Sequence, residues 1–240
     1  MNISPDAVVC FQKGFVTVSA TLVYTWAVMG VLVVISWLAT RNISIEEDIS
    51  GWQNFMETVV GYIRKQIRDI TNQEPDVFLP FLGTLFLFIS VSNLLAIVPG
   101  YHPPTGSLYT TSALALCVFF AVPVFGITGQ GFKPFFRHYL QPTVFMLPFN
   151  IISEFSRTLA LSVRLFGNIM SGTIIAGILV SVAPLFVPVI MQALGLLIGQ
   201  IQAYIFAVLA AVYISSGMRV RREQKKHPGN NNKEKTDEHY

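Results

Sequence analysis

Between Val77 and Met218 the chain carries only five charged side chains: Lys133, Arg137, Glu154, Arg157 and Arg164. Glu154 and Arg157 lie one helical turn apart, close enough to pair. Arg164, two turns further along between Val163 and Leu165, has no such local acid. A guanidinium near the middle of a membrane span costs at least about 2.5–3.5 kcal/mol to insert, so it must face protein or water. Snorkelling to an interface is the competing structural use, and it is strained here by the apolar-dominated helix that separates Arg164 from the basic loop before it. The chemistry open to such a group is not bond making. A guanidinium stays cationic throughout, so it can hold an anion or repel other cations. Such a charge inside a span points to a functional site.

The neighbours of Arg164 extend the same idea. Asn150, Glu154, Arg157, Arg164, Asn168 and Ser171 recur at helical spacing and form a polar stripe on a mostly apolar helix. On the next helix Gln192, Gly195, Gly199 and Gln202 align similarly. Glycines four apart let helices approach closely, and packing is the expected role of Gly195 and Gly199. Gln202 is either a packing contact or a partner, or competitor, for whatever Arg164 binds.

The elements that hold these residues follow from composition and pattern. The 240 residues are 52% hydrophobic and 12% charged, with a formal net charge of +3 and a mean hydropathy of +0.57; a soluble domain carries about a quarter charged residues. Apolar runs at Phe15–Thr40, Val77–Pro99, Leu108–Thr128, Asn150–Val182 and Pro188–Met218 read as about five spans. Ile49–Ile70 differs: Trp52, Phe55, Met56, Val59, Ile63, Ile67 and Ile70 fall three and four apart, with Arg64, Lys65 and Arg68 trailing. That is an amphipathic helix lying on the membrane surface or docked on a partner. The last two helices are too long to stand upright in a core of about 30 Å, which predicts projecting ends or a steeply tilted antiparallel hairpin. The fold class is therefore an all-α integral membrane protein, one membrane domain over 1–240 with a core at 77–218 and a polar, disordered cytoplasmic tail at 219–240.

Basic residues set the orientation. Arg41, Arg64, Lys65 and Arg68 follow the first span, Lys133 and Arg137 the third, and Arg219, Arg221, Arg222, Lys225 and Lys226 the last. The alternate loops, Pro99–Thr110 and the turn at Pro184, carry no cations. The positive-inside rule places the amino terminus outside and the carboxyl terminus in the cytoplasm. Cys10 and Cys117 suit neither a disulfide nor a metal site, no phosphate-binding Gly-x-x-x-x-Gly-Lys-Ser/Thr loop is present, and no cofactor, metal or nucleic-acid partner is expected.

The segment Ser162-Val163-Arg164-Leu165-Phe166-Gly167-Asn168 resembles the signature of the membrane subunit a of F-type ATP synthases. So do Ile201-Gln202-Ala203-Tyr204-Ile205-Phe206 and Leu209-Ala210-Ala211-Val212-Tyr213-Ile214. The likeness runs through most of Leu147–Ser216 and, more weakly, through Pro80–Phe86 and Asn93–Pro99. It implies that Arg164 is the family's essential arginine, that Gln202 faces it on the next helix, and that Asn168 and Glu154 line the ion path. It further implies a rotating c-ring of small hairpin subunits, each with one membrane carboxylate, and a peripheral-stalk subunit b as partners. The resemblance also implies protons as the cargo, with sodium as the alternative, and the role of a non-catalytic channel subunit. Two positions depart from the pattern: Thr173 stands where many members have an acid, and Thr158 replaces a common proline.

Two rivals fit less well. A secondary transporter for an anionic solute should show internal repeats and broken helices, and the sequence has neither. A membrane enzyme would need Glu154 with Arg157, or His102 with His138, but those histidines fall in loops on opposite sides. The expected location is a bacterial plasma membrane, given a start at Met1 without an evident transit segment, with a thylakoid as the alternative.

Overall fold

A computed structural model of the chain describes residues 9–13, 16–41, 51–71, 74–98, 100–131, 146–182 and 187–218. Helices dominate: α1 (Ala20–Arg41), α2 (Gly51–Thr71), α3 (Leu79–Leu94), α4 (Leu108–Gln130), α5 (Met146–Val182) and α6 (Val187–Met218). All but α2 are long and apolar enough to cross a membrane, which makes five candidate spans among the described residues. The spanning part is all-α, as its composition requires: only a helix satisfies every backbone group without water.

One element was not foreseen. Strands β1 (Val9–Lys13) and β2 (Val16–Ser19) pair antiparallel before α1, with Gln12 opposite Thr17 and Lys13 opposite Val16. The sequence reading starts the first span at Phe15, yet the helix begins at Ala20. Val16, Thr17 and Val18 are β-branched, which favours extended backbone where a partner strand is at hand.

The other boundaries lie close to expectation. A 3-10 turn at Leu95–Ile97 carries α3 toward the end of its apolar run, and Gly131, at φ 89°, ends α4 by donating its N–H to the Ile127 carbonyl at 2.7 Å. Rings pin the start of α3 to the far end of α4: Phe125 lies 5.4 Å from Phe78 and 5.9 Å from Phe81, centroid to centroid. These two helices therefore run antiparallel. At about 1.5 Å per residue, the 37 residues of α5 reach about 55 Å and the 32 of α6 about 48 Å.

Helix α6 is the hub, packing on α3, α4 and α5 and more lightly on α2. Its Ala203, Phe206, Ala210 and Ile214 are wholly buried, as are Leu165 on α5 and Ile89 on α3. The amphipathic α2 is tied at both sides. Ion pairs join Arg64 to Asp76 and Arg68 to Glu74 at the start of α3. Tyr204 donates to Gln66 Oε1 at 3.0 Å, and Ser215 to the Thr71 carbonyl at 3.3 Å. Docking on the bundle is thus the geometry of α2 along its second half. The basic loop with Lys133, Arg137 and His138, and the tail at 219–240, lie outside the described residues.

Candidate ion-conducting site

Helix α5 turns two different faces to its surroundings. Thr158, Leu161, Ser162 and Leu165 are buried, a stripe at helical spacing that packs on α4 and α6. Arg164 lies about 100° around the helix from Leu165 and is exposed. Among the described residues its guanidinium has no hydrogen bond, ion pair or ring contact. In the isolated chain only 6% of the α5 span window is buried, against 33–39% for α3, α4 and α6. The span that bears the intramembrane cation is thus also the one left most open by its own chain.

The other residues singled out from the sequence are placed as follows. Asn168 and Glu154 are half-buried on α5, and Glu154 makes polar contact there. Arg157 stacks over the Tyr213 ring of α6, 5.7 Å from its centroid, so this cation has an aromatic partner on the next helix. Gln202 is 5% exposed, and its amide nitrogen is buried without a hydrogen-bond partner. Such a group costs about 1–3 kcal/mol if left unmade, which makes Gln202 more than a satisfied packing contact. Thr173 returns its hydroxyl to the Ile169 carbonyl at 2.9 Å, and Thr158 bonds the Glu154 carbonyl at 3.0 Å. Both threonines behave as ordinary helix residues.

The glycines of α6 divide. A Cβ on Gly199 would sit 3.1 Å from Asn93 Cβ, so this residue permits the close approach of α3 and α6. Gly195 is exposed with nothing within 4 Å of such a Cβ. The expectation of a packing role holds for Gly199, whereas Gly195 meets no neighbour among the described residues of its own chain. Gln192 bridges α6 to α3 by donating to the Ala96 carbonyl at 3.0 Å.

A polar layer runs through the bundle at the end where α3 leads into α4. Asn93 donates to the Gly199 carbonyl and accepts from Thr105, each at 2.9 Å. Ser162 meets Ser112 at 3.1 Å and Thr111 at 3.4 Å, and Gln200 donates to the Ser90 carbonyl at 3.0 Å. Beside it, Ser92 Oγ and Tyr101 OH are buried without hydrogen-bond partners. Burial pushes the Tyr101 hydroxyl above its ordinary pKa. The nearby Ser92 hydroxyl offsets part of this although the two do not meet in hydrogen-bond geometry, and Tyr24 adds to the rise. Tyr24 stacks edge-on against Tyr101 at 5.0 Å and donates to the Gly100 carbonyl at 3.1 Å.

Sequence reasoning found the polar stripe of α5 but missed this layer. Its members are Ser, Thr, Asn and Gln residues on four helices and a loop. No helix carries more than two of them, too few to read as a stripe.

Comparison with known proteins now gives the arrangement a family. The family model described as ATP synthase A chain matches residues 22–215. The chain is 59% identical over 220 residues to an ATP synthase subunit a 2 of Acaryochloris marina, covering 92% of this chain and 94% of that one. It is 55% identical over 229 residues to an ATP synthase subunit a of Albidiferax ferrireducens, covering 95% and 99%. A subunit a 1 of Chlorobaculum parvum is 52% identical over 223 residues, covering 93% and 99%. Likeness along nearly the whole chain shows that this protein, with its unpartnered Arg164 on an open span, belongs to the ATP synthase A chain family.

Proposed function

We infer that the chain is the ion-translocating stator channel subunit of a rotary F-type ATP synthase, carrying protons between two aqueous half-channels and the carboxylates of a rotating c-ring. The observation that carries this reading is Arg164: a permanent cation in a membrane span, exposed, with no partner among the described residues of its own chain.

The physics runs in a cycle. A carboxylate carried through lipid must be neutral, because an isolated charge in hydrocarbon is prohibitively costly. Beside Arg164 the anion is favoured, so the acid releases its proton to one half-channel. Leaving the arginine, it takes a proton from the other half-channel and re-enters lipid. An internal acid bonded to Arg164 would quench this, since a paired guanidinium gains little from a second anion. The same cation also bars a direct leak between the half-channels. Each charge that crosses 100 mV releases about 2.3 kcal/mol, the source of the torque.

Gln202, Asn168 and Glu154 serve the path. The free amide nitrogen of Gln202, buried in the chain, is a donor for a water on the path. Asn168 continues the polar stripe one turn from Arg164, and Glu154 lies on the same helix toward its start. The unpartnered hydroxyls of Ser92 and Tyr101 supply polar sites at the α3–α4 end. No bond is made or broken in covalent chemistry here; the chain conducts and the enzyme's catalysis belongs elsewhere in the complex. A peripheral-stalk subunit b would hold the chain against rotation. The cation pattern supports the amino terminus outside and the carboxyl terminus in the cytoplasm, in a bacterial plasma membrane or, as the alternative, a thylakoid.

The test is ATP-driven acidification of inverted membrane vesicles, with and without sodium, for the native chain and Arg164→Ala. Acidification without sodium that the substitution abolishes is the expected result. Pumping that survives the substitution would make Arg164 structural and sink the mechanism. Transport that requires sodium would keep the subunit assignment and change the ion.

A further inference from the structure

In the orientation proposed above, Arg164 is the outermost charged side chain between 77 and 218, because 77–132 and 165–218 contain no Asp, Glu, Lys or Arg. The outer half of the bundle is drawn from those two stretches. It comprises the end of α3, the loop that follows, the first turns of α4, α5 beyond Arg164 and α6 as far as Gln202. We propose that the outer half-channel of this chain has no ionisable relay: protons cross it on waters that neutral hydroxyls and amides hold in place. This deepens the function proposed above and rests on it.

Three observations support a neutral path. The first is where the unmade hydrogen bonds fall. Among the described residues, the buried side-chain atoms without a partner are Ser92 Oγ, Tyr101 OH and Gln202 Nε2. They stand on α3, on the loop and on α6, all in this half. Leaving such a group unmade costs about 1–3 kcal/mol, and a buried water typically answers it with about three hydrogen bonds of its own. Second, the paired polar groups there are neutral too. Asn93 joins Thr105 to the Gly199 carbonyl, and Ser162 meets Ser112 and Thr111. Ser162 comes two residues before Arg164, so the layer runs from the loop to within a turn of the cation. On α5, Ser171 and Thr173 return their hydroxyls to the Asn168 and Ile169 carbonyls. Third, the titratable groups of this half stay neutral or stand outside the layer. Burial pushes the Tyr101 hydroxyl above its ordinary pKa, so it serves as a hydroxyl and not as a phenolate. Tyr24 of α1 spends its hydroxyl on the Gly100 carbonyl. His102 and Tyr109 are exposed, and Asp6 and Lys13 precede α1 in the sequence. Hydroxyls and amides orient water by donating and accepting. Each water accepts one proton and passes another on, so no net proton stays on the path.

The experiment uses the assembled complex in two ways. A cryo-EM map that resolves waters is expected to show one within hydrogen-bond reach of each of Ser92 Oγ, Tyr101 OH and Gln202 Nε2. A map in which these atoms are dry overturns the proposal. ATP synthesis by the complex in vesicles is then followed at constant total driving force. The pH at the outer face is stepped from about 5 to about 8, the range in which histidine changes charge. His102→Gln, Tyr109→Phe, Asp6→Asn and Lys13→Gln should each keep the native rate and the native pH midpoint. Ser92→Ala and Tyr101→Phe should lower the rate about two- to tenfold, the worth of one hydrogen bond, by the same factor at every pH. A variant that displaces the midpoint or removes a titration step identifies an ionisable relay and overturns the proposal. A native rate in both hydroxyl variants overturns it as well. Arg164→Ala separates these failures from that of the parent reading. Synthesis that survives Arg164→Ala refutes the channel and the neutral path together, whereas its loss beside a displaced midpoint leaves the channel standing and refutes the neutral path alone.

Discussion

At the scale of residues, the role of Arg164 depends on more than its charge. A lysine could replace the charge but not the planar, permanently protonated fork, and a desolvated lysine deprotonates readily. Arg164→Lys is therefore expected to lose ATP-driven proton pumping while the chain still assembles, as judged by its recovery with the purified complex. Gly199 poses a different requirement. Its added Cβ would lie 3.1–3.2 Å from Asn93 atoms, whose amide is already committed to both Thr105 and the Gly199 carbonyl. Gly199→Ala is expected to cost about 1–3 kcal/mol through overpacking, read as a lower unfolding midpoint in detergent. Gly195→Ala, with open space around it, should be neutral or slightly stabilising, since alanine is the better helix former. Tyr101 adds a pH dependence. Because burial raises its hydroxyl above the ordinary value of 10.0, its contribution to stability is full below that pH and is lost as pH rises from there through the folded-state value. Tyr101→Phe should accordingly flatten the alkaline limb of a pH-stability profile, measured by thermal unfolding.

At the scale of elements, the question is what fixes each helix. The ion pairs between α2 and the start of α3 involve exposed groups, with Arg64 and Asp76 51% and 59% exposed. Such pairs are typically worth under about 1 kcal/mol, so Asp76→Asn should shift the unfolding midpoint little, and high salt should reproduce the effect. The apolar seam of α2 carries more: Ile67 is 4% exposed. Periodicity made that seam readable, because spacings of three and four define a face whatever it packs on. Where the face docks was not readable, since lipid headgroups and a neighbouring helix reward the same pattern. The same limit explains the start of α1. An apolar run looks identical whether its first residues are helix or strand, and pairing of β2 with β1 decided for strand.

At the scale of the whole molecule, α5 is the least covered of the four bundle spans, with its polar stripe along one flank. This predicts that a moving partner runs against it. A cysteine placed at Ser171, which is exposed in the isolated chain, should react with a maleimide there and become protected in the assembled complex. Equal reactivity in both states would put the partner on another face.

The sequence alone was enough to establish a membrane bundle, its helix count, the amphipathic α2 and the isolated arginine, because hydropathy, period and charge are local properties. Most of the family signature is likewise local, being a run of consecutive residues around Arg164 and another around Gln202. Tertiary structure decided what depends on contact between distant segments. It left Arg164 open while burying Gln202 with a free donor, gave Arg157 a ring on α6, and joined Asn93, Thr105 and Gly199 into one polar contact. Those outcomes depend on which flank of each helix meets its neighbour, and helix rotation about its own axis is set by packing across the bundle rather than by any segment's own pattern.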